Sequence, residues 1–481
     1  MLHFIFGSSG SGKSNYIYEH ILEQSGKAPE QLFFVVVPEQ FTMQTQRELV
    51  RRQENHGIMN IDVVSFQRLA YRVFDELGLK QLKVLEETGK NFVLRKVAED
   101  KQDELRMLRW SMKKNGYINE LKSVISELSQ YRIGVNQLEE LSSDESLPIP
   151  FRYRMEDIRV MYQGFLDYLR GSYITAEEIL EVLAREVKNS RILKDSVLVL
   201  DGFTGFTPIQ YTLLEQLMMC ARDLYVTVTL DERENPYVIQ GMQELFYMSK
   251  KTVSSLLEIA DRNQIAVADP VRLAHGPDTR FGQARPLEWL EQNLFREEKK
   301  PYPADEDPGQ FIILRCLPDP RQELTYLAGE IRRLVREEGY RYQDMAIVCG
   351  DVEMYGNYVP EIFGNFEIPY FLDKKNTIAY HPFTEMIKSA LLLVEQDFSH
   401  ESVMAYLRCG LCGVAAEEAD LLENYLLANR IRGARRWKEK WVRVSGLADS
   451  DELVQVNQIR EQIVSRFEEP MQVWKKKSTT V

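Results

Sequence analysis

Residues 2–14, LHFIFGSSGSGKS, constrain this chain more than any other stretch. An apolar run, Leu2 to Phe6, passes straight into Gly7-Ser8-Ser9-Gly10-Ser11-Gly12-Lys13-Ser14, which fits G-x-x-x-x-G-K-[ST]. A buried strand, a glycine turn and a helix must follow one another here. In such a turn the backbone N–H groups wrap phosphates, and the helix N-terminus favours their negative charge. Gly7, Gly10 and Gly12 let a phosphate approach where a Cβ would block it. Lys13 neutralises the outer phosphates, Ser14 offers a hydroxyl to Mg²⁺, and Ser8, Ser9 and Ser11 complete the cradle. The stretch predicts a site for ATP with Mg²⁺.

The flanking sequence alternates in the same sense. Leu32–Val37 and Ile61–Ser65 read as strands, and Ser14 to Gln24, Phe41 to Arg52 and Phe66–Leu77 as helices. Apolar strands alternating with helices give a parallel, doubly wound α/β sheet. Strands resume at Ser196–Leu200 and Leu224–Leu230. Between them, residues 86–189 are helical in period, as in Asn91–Ala98, Tyr117–Tyr131, Arg152–Leu169 and Ala176–Val187. The first α/β domain is therefore expected over 1–85 and 190–290, with 86–189 inserted into it. The proline-rich stretch 267–309 reads as a linker plus one helix, with 291–309 as the linker itself.

A second α/β domain is expected to start within 310–376. Its strands would be Phe311–Cys316, Met345–Cys349 and Tyr370–Leu372, and its helices Gln322–Glu338 and Val352–Phe363. Residues 377–481 turn helical again, as a second insertion. The chain stops after Trp474-Lys475-Lys476-Lys477-Ser478 without a closing element, which reads as an incomplete chain.

Composition narrows the function. At 481 residues one core does not suffice. No apolar run approaches the ~20 residues of a membrane span, and no basic-then-apolar leader precedes the glycine loop. Both point to the cytoplasm. The five cysteines, Cys220, Cys316, Cys349, Cys409 and Cys412, are scattered and read as free thiols. Six histidines without H-x-x-x-H or H-E-x-x-H spacing argue against a zinc hydrolase. A net charge of −13 excludes binding to nucleic acid by bulk charge but leaves room for a local basic groove.

Hydrolysis of ATP needs more than a phosphate loop. A second strand should end in an acid that holds Mg²⁺, and a neighbouring acid should activate water. The strand Val197–Leu200 ends in Asp201, but the next residue is Gly202. Asp201 is either a magnesium ligand or the first residue of an Asp-Gly turn. On the former reading the site holds ATP and hydrolyses it poorly, since loss of a catalytic base costs about 10²–10⁴-fold.

The whole set of segments resembles the AddB (RexB) family, the second subunit of bacterial ATP-dependent helicase/deoxyribonucleases. The matching stretches run GSSGSGKS, VVVPEQFTMQTQREL, VVSFQRLAYRV, VLVLDGFTGFTPIQ, GYRYQDMAIVC and FEIPYFLDKK in that order. The resemblance implies two RecA-like P-loop domains of the superfamily 1 helicase kind, with α-helical insertions. It implies a chain that ends before the family's nuclease domain and its iron–sulphur cluster. It implies a heterodimer with an AddA/RexA-type motor subunit that processes double-strand breaks on double- and single-stranded DNA. The AddB-type half scans the single strand for Chi and is not the motor. Three elements of active relatives are altered here: Asp201-Gly202 replaces Asp-Glu, Val226–Asp231 replaces a GD-x-x-QSIY-like element, and Gly350 stands where an arginine follows the strand.

In that family the loops after the second and third strands face DNA, and the matching positions here are Gln40, Thr42, Phe66, Arg68 and Tyr71. Gln40 would contact a base edge, Thr42 a phosphate or base, Arg68 guanine or phosphate, and Phe66 and Tyr71 would stack. Read without the family, Phe66, Leu69 and Tyr71 read instead as the inner face of a helix, with Arg68 and Arg72 as its solvated edge. A working ATPase motor or small-molecule kinase, and a scaffold with a vestigial site, remain the alternatives.

Overall fold

The computed structural model describes residues 1–53, 56–79, 84–170, 173–303, 307–374, 378–445 and 450–478, in two compact units, Met1–Leu314 and Arg315–Val481. Among the described residues no helix is long and apolar enough to cross a membrane.

The first unit begins β1 (Leu2–Gly7), α1 (Lys13–Lys27), β2 (Phe33–Val36), α2 (Thr42–Arg52), β3 (Ile61–Val64), α3 (Phe66–Leu77). After β4 (Val84–Leu85) come α4 (Glu87–Asp100), α5 (Asn115–Gln130), α6 (Val135–Ser143) and α7 (Ile149–Leu169), then β5 (Ile174–Thr175) and α8 (Ala176–Glu186). The chain returns through β6 (Val197–Leu200), α9 (Pro208–Cys220), β7 (Asp223–Thr229), α10 (Tyr247–Arg262), β8 (Val271–Leu273) and α11 (Arg285–Asn293).

Six strands form one sheet in the order β3-β2-β6-β7-β1-β8, every neighbouring pair parallel. The sequence dictates this because the strands are apolar on both faces. Along β1 and β2, Phe4, Phe6, Phe34 and Val36 enter one core with α3, α9 and α10, while Ile5, Phe33, Val35 and Val37 enter another with Ile17 and Ile21 of α1 and Leu49 of α2. The α/β class with a parallel sheet and many helices is thus what the sequence leads one to expect.

Three details differ from expectation in this unit. First, β8 extends the sheet inside the stretch read as linker, pairing Ile5–Gly7 with Val271–Leu273. Its brevity and surrounding prolines hid it. Second, α8 packs Ile179, Leu183 and Ala184 into the same core as the sheet residues Leu198 and Leu200. The separate helical core is that of α4–α7, with Leu94, Met161 and Phe165 at its centre. Third, the path into and out of this helical region is tied by β4 and β5, which pair in parallel as Val84 with Ile174 and Leu85 with Thr175.

Asp157 of α7 is fully buried in the helical region and accepts backbone N–H bonds from Arg106, Met107 and Leu108 at 2.9, 2.7 and 2.8 Å. It closes an irregular turn that has no helix or sheet of its own to satisfy those donors.

The second unit holds α12 (Pro320–Glu337), α13 (Val352–Gly356), α14 (Val359–Asn365), α15 (Pro382–Glu395), α16 (His400–Arg408), α17 (Ala416–Asn429), α18 (Ala434–Lys438) and α19 (Ser450–Ser478). The helix expected over Val352–Phe363 is two helices, because Pro360 can open a helix but not continue one. The three expected strands are corrected. Phe311–Cys316, Met345–Cys349 and Tyr370–Leu372 enter no ladder among the described residues, and Leu314, Val348 and Phe371 are exposed. Apolar runs specify a parallel strand only when neighbours accept its N–H and C=O groups. Two clusters hold what does form: a small one with Leu324, Ala328, Ile362 and Phe363, and a larger one around Phe398, Tyr425, Trp437 and Trp441. The five cysteines are free thiols; Cys409 and Cys412 donate to the carbonyls of Tyr406 and Leu407.

Candidate functional site

The phosphate loop joins β1 to α1 at the carboxyl end of the sheet, where ligands of doubly wound folds bind. Gly12 caps α1 at φ 91°, a left-handed conformation that penalises any side chain. The first N–H groups of α1 have no partner within the helix and point into the loop. Lys13 folds back so that its ammonium donates to the carbonyls of Gly7 and Ser8, both at 2.9 Å. Burial lowers its pKa to about 8, against the upward pull of Asp201 and Glu291, while Arg280 pushes it further down. Ser14 is exposed on the first turn. The Ser11 hydroxyl is buried without a hydrogen-bond partner among the described residues.

Asp201 lies at the end of β6, two strands from β1. Register explains its partners. Leu200 pairs with Val226, so Asp201 falls opposite Thr227. Its carboxylate accepts from the Thr227 hydroxyl at 2.6 Å and the Tyr18 hydroxyl at 2.8 Å. Burial, with Asp201 beside it, pushes the Tyr18 pKa well up, so the phenol stays protonated and donating. Asp201 pulls the Lys13 pKa upward, and Tyr18 ties Asp201 by a hydrogen bond to the helix that Lys13 opens. Among the described residues each carboxylate oxygen accepts one side-chain hydrogen bond, which leaves lone pairs for an ion that retains most of its waters, as Mg²⁺ does. Asp201 and Ser14 carry the oxygen donors such an ion takes.

Gly202 has φ +79°, and a Cβ there would stand 3.6 Å from Pro38. An L-residue at this position is strained by the backbone itself. The absence of an acid after Asp201 is therefore written into the chain path and is not one drifted side chain.

The next strand end differs too. Asp231, after β7, is almost fully buried; the guanidinium of Arg233 grips it at 2.8 and 2.7 Å and Arg296 at 2.6 Å. Burial alone would raise its pKa, but these cations and the Arg233 N–H outweigh that and hold it at about 2. Arg296 also pairs with Glu234 at 2.9 Å, and Glu234 with the buried Lys250 at 2.8 Å. Asp231 is locked in a charge network and is no free acid.

Residues 274–293 lie over the phosphate loop, which sequence reasoning missed. His275 Nε2 is 2.8 Å from the Ser8 hydroxyl and 3.2 Å from Glu291, and the Ser9 N–H donates to Glu291 at 3.1 Å. The Arg280 N–H donates to the Gly10 carbonyl at 3.3 Å, and a Cβ on Gly10 would stand 2.8 Å from the Phe281 ring. Residues 274–284, broken by Pro and Gly, carry no periodicity, and the helix after them reads as solvated, so nothing in the sequence marked the stretch as a cover.

The five residues expected to face DNA separate into two groups. Gln40 is exposed in the turn Glu39–Phe41. Arg68 is exposed at the start of α3 and pairs with Glu39 at 3.1 Å, joining the loops after β2 and β3. Tyr71 is 46% exposed. Thr42, by contrast, is buried and its hydroxyl donates to the Glu39 carbonyl at 3.0 Å. Phe66 is buried too, packed at ring-centroid distances of 5.3 Å on Phe203 and 6.3 Å on Phe206. These two hold the loops in place from below, and the exposed three form the surface.

A family model described as "ADDB, N-terminal" matches residues 4–291. Proteins named as a subunit of an "ATP-dependent helicase/deoxyribonuclease" are similar along nearly the whole chain. The one from Lachnoclostridium phytofermentans is 39% identical over 97% of this chain and 40% of its own length. That from Clostridium novyi is 33% identical over 95% and 39%, and that from Caldanaerobacter subterraneus 32% over 96% and 40%. The chain spans about two fifths of the length of these relatives.

Proposed function

Because the chain belongs to the family defined by the N-terminal region of AddB, we propose that it is the nucleotide-holding, non-motor part of a bacterial helicase–nuclease that processes DNA double-strand breaks. ATP with Mg²⁺ binds at residues 7–14 and Asp201. Single-stranded DNA runs past Gln40, Arg68 and Tyr71, where it is scanned for Chi. An AddA/RexA-type subunit supplies propulsion, and the assembly works in the cytoplasm. The name the relatives carry supports the helicase and deoxyribonuclease parts of this reading.

One observation carries the non-motor part. Asp201 accepts from Tyr18 of the helix that Lys13 opens, yet the residue after Asp201, where a water-activating acid is expected, is a glycine in a left-handed conformation. ATP binding without DNA-stimulated turnover by the purified chain is the expected result. Brisk turnover would overturn it, and no binding would favour the scaffold.

Gly202→Glu is expected not to restore hydrolysis. Forcing an L-residue into this conformation costs about 1–2 kcal/mol, read as a lower melting temperature, and leaves the carboxylate without a set direction. A variant gaining tenfold turnover with unchanged stability would contradict this. Arg68→Ala should weaken single-stranded DNA binding about three- to tenfold and lower the salt slope by about 0.7, as one lost phosphate contact does. Fluorescence anisotropy at several salt concentrations reads both; an unchanged slope would remove Arg68 from the path.

A further inference from the structure

The phosphate loop carries an anion of its own, and we infer that Glu291 determines which nucleotide the site accepts by competing with the terminal phosphate. This rests on the nucleotide-holding reading above. The geometry fixes which phosphate is contested. The Lys13 ammonium is tied to the carbonyls of Gly7 and Ser8, at the start of the loop. A phosphate-loop lysine reaches the outer phosphates, so those phosphates lie at this end. Ser9 is the next residue, and its N–H already donates to Glu291 at 3.1 Å. The Glu291 carboxylate thus stands on a donor at the outer end of the cradle, close enough to act on Lys13.

Glu291 is not a passing surface acid. Its second oxygen is 3.2 Å from His275, whose side chain is 5% exposed and whose Nε2 is 2.8 Å from the Ser8 hydroxyl. The next residue on α11, Gln292, accepts through its carbonyl from Arg233 and Arg296, the two guanidinium groups that hold the buried Asp231. His275 and the Ser9 N–H hold the carboxylate, and the two guanidinium groups hold the helix that carries it. A diphosphate leaves this place to Glu291. A triphosphate enters only when Glu291 withdraws, because two anions in a partly desolvated site repel strongly.

Calorimetric titration of the 481-residue chain with ADP and with a non-hydrolysable ATP analogue, both with Mg²⁺, tests this. The unsubstituted chain should bind ADP more tightly. Glu291→Gln, which keeps the shape and removes the charge, should tighten the analogue about tenfold and ADP less than threefold. His275→Ala, which releases the far oxygen, should act in the same order and more weakly, and checks the result independently of the first variant's folding. Equal tightening of both nucleotides, or none, in both variants refutes the role of Glu291 alone. No binding of either nucleotide to any of the three chains refutes the phosphate-loop reading, and this inference with it.

Discussion

Lys13→Ala is expected to weaken ATP binding by about 100-fold or more, since removing one partner of a partly desolvated charge pair costs about 2–5 kcal/mol. The side chain performs two tasks. It neutralises phosphate, and its ammonium ties down two loop carbonyls, at Gly7 and Ser8. The alanine variant should fold, because the apolar face of α1 is carried by Ile17, Ile21 and Leu22. Its melting temperature should match the parent without nucleotide and fail to rise when nucleotide is added, whereas ligand at 100 times its Kd stabilises the parent by about 2.7 kcal/mol.

The same lysine sets a pH dependence. In the free chain its pKa is lowered to about 8, chiefly by burial. A bound triphosphate favours the charged form and raises it. Affinity is therefore fully present below about pH 8 and falls as pH rises above it, with proton uptake on binding in that range. The effect on folding has the opposite sense. The unfolded lysine, near 10.5, binds more protons than the folded one between pH 8 and 10.5, so this group's penalty on folding is relieved as pH rises through that window. Affinity unchanged from pH 7 to 9.5 would place Lys13 away from the nucleotide.

The second large effect concerns Asp157. Its replacement by Ala leaves three part-buried backbone donors at residues 106–108 without this acceptor; water reaches some of them, so the loss is expected to be about 3 kcal/mol, not the sum of three fully buried donors. That is a large part of a typical domain's stability. Asp157→Asn should also destabilise, because an amide offers one good acceptor where the carboxylate offers two. Hydrogen exchange should accelerate at the amides of Arg106, Met107 and Leu108 and through α4–α7, while the sheet core around Leu198 stays protected. Unchanged protection in the helical region would show that these bonds are replaceable by water.

The legible part of this fold was the part where local pattern and neighbour requirements agree. Val197–Leu200 and Phe33–Val36 are apolar on both faces, bounded by turn residues, and each has two strand neighbours. Ile347-Val348 has the same local character and enters no ladder among the described residues. Pattern alone cannot tell these cases apart. The phosphate loop was legible because it is contiguous in sequence. Its surroundings were not, because Thr227, His275 and Glu291 come to it from far along the chain. Thr227 would have followed from the register of β6 on β7. Glu291 would not, since α11 reads as an ordinary solvated helix. For Phe66 the residue pattern, the inner face of a helix, agrees with the structure where the family position does not: it packs on Phe203 and Phe206, and Thr42 is buried against the Glu39 carbonyl.

The short pairing of β4 with β5 has a wider meaning. Adjacent strands lie about 4.8 Å apart, so the ends of the intervening helical segment are stapled side by side. To the sheet, everything between Leu85 and Ile174 is a loop whose closure is already arranged, and lengthening a closed loop adds little entropy. Such a graft point allows a lineage to enlarge, trim or exchange an appendage while the host sheet, and the phosphate cradle built on it, is inherited unaltered.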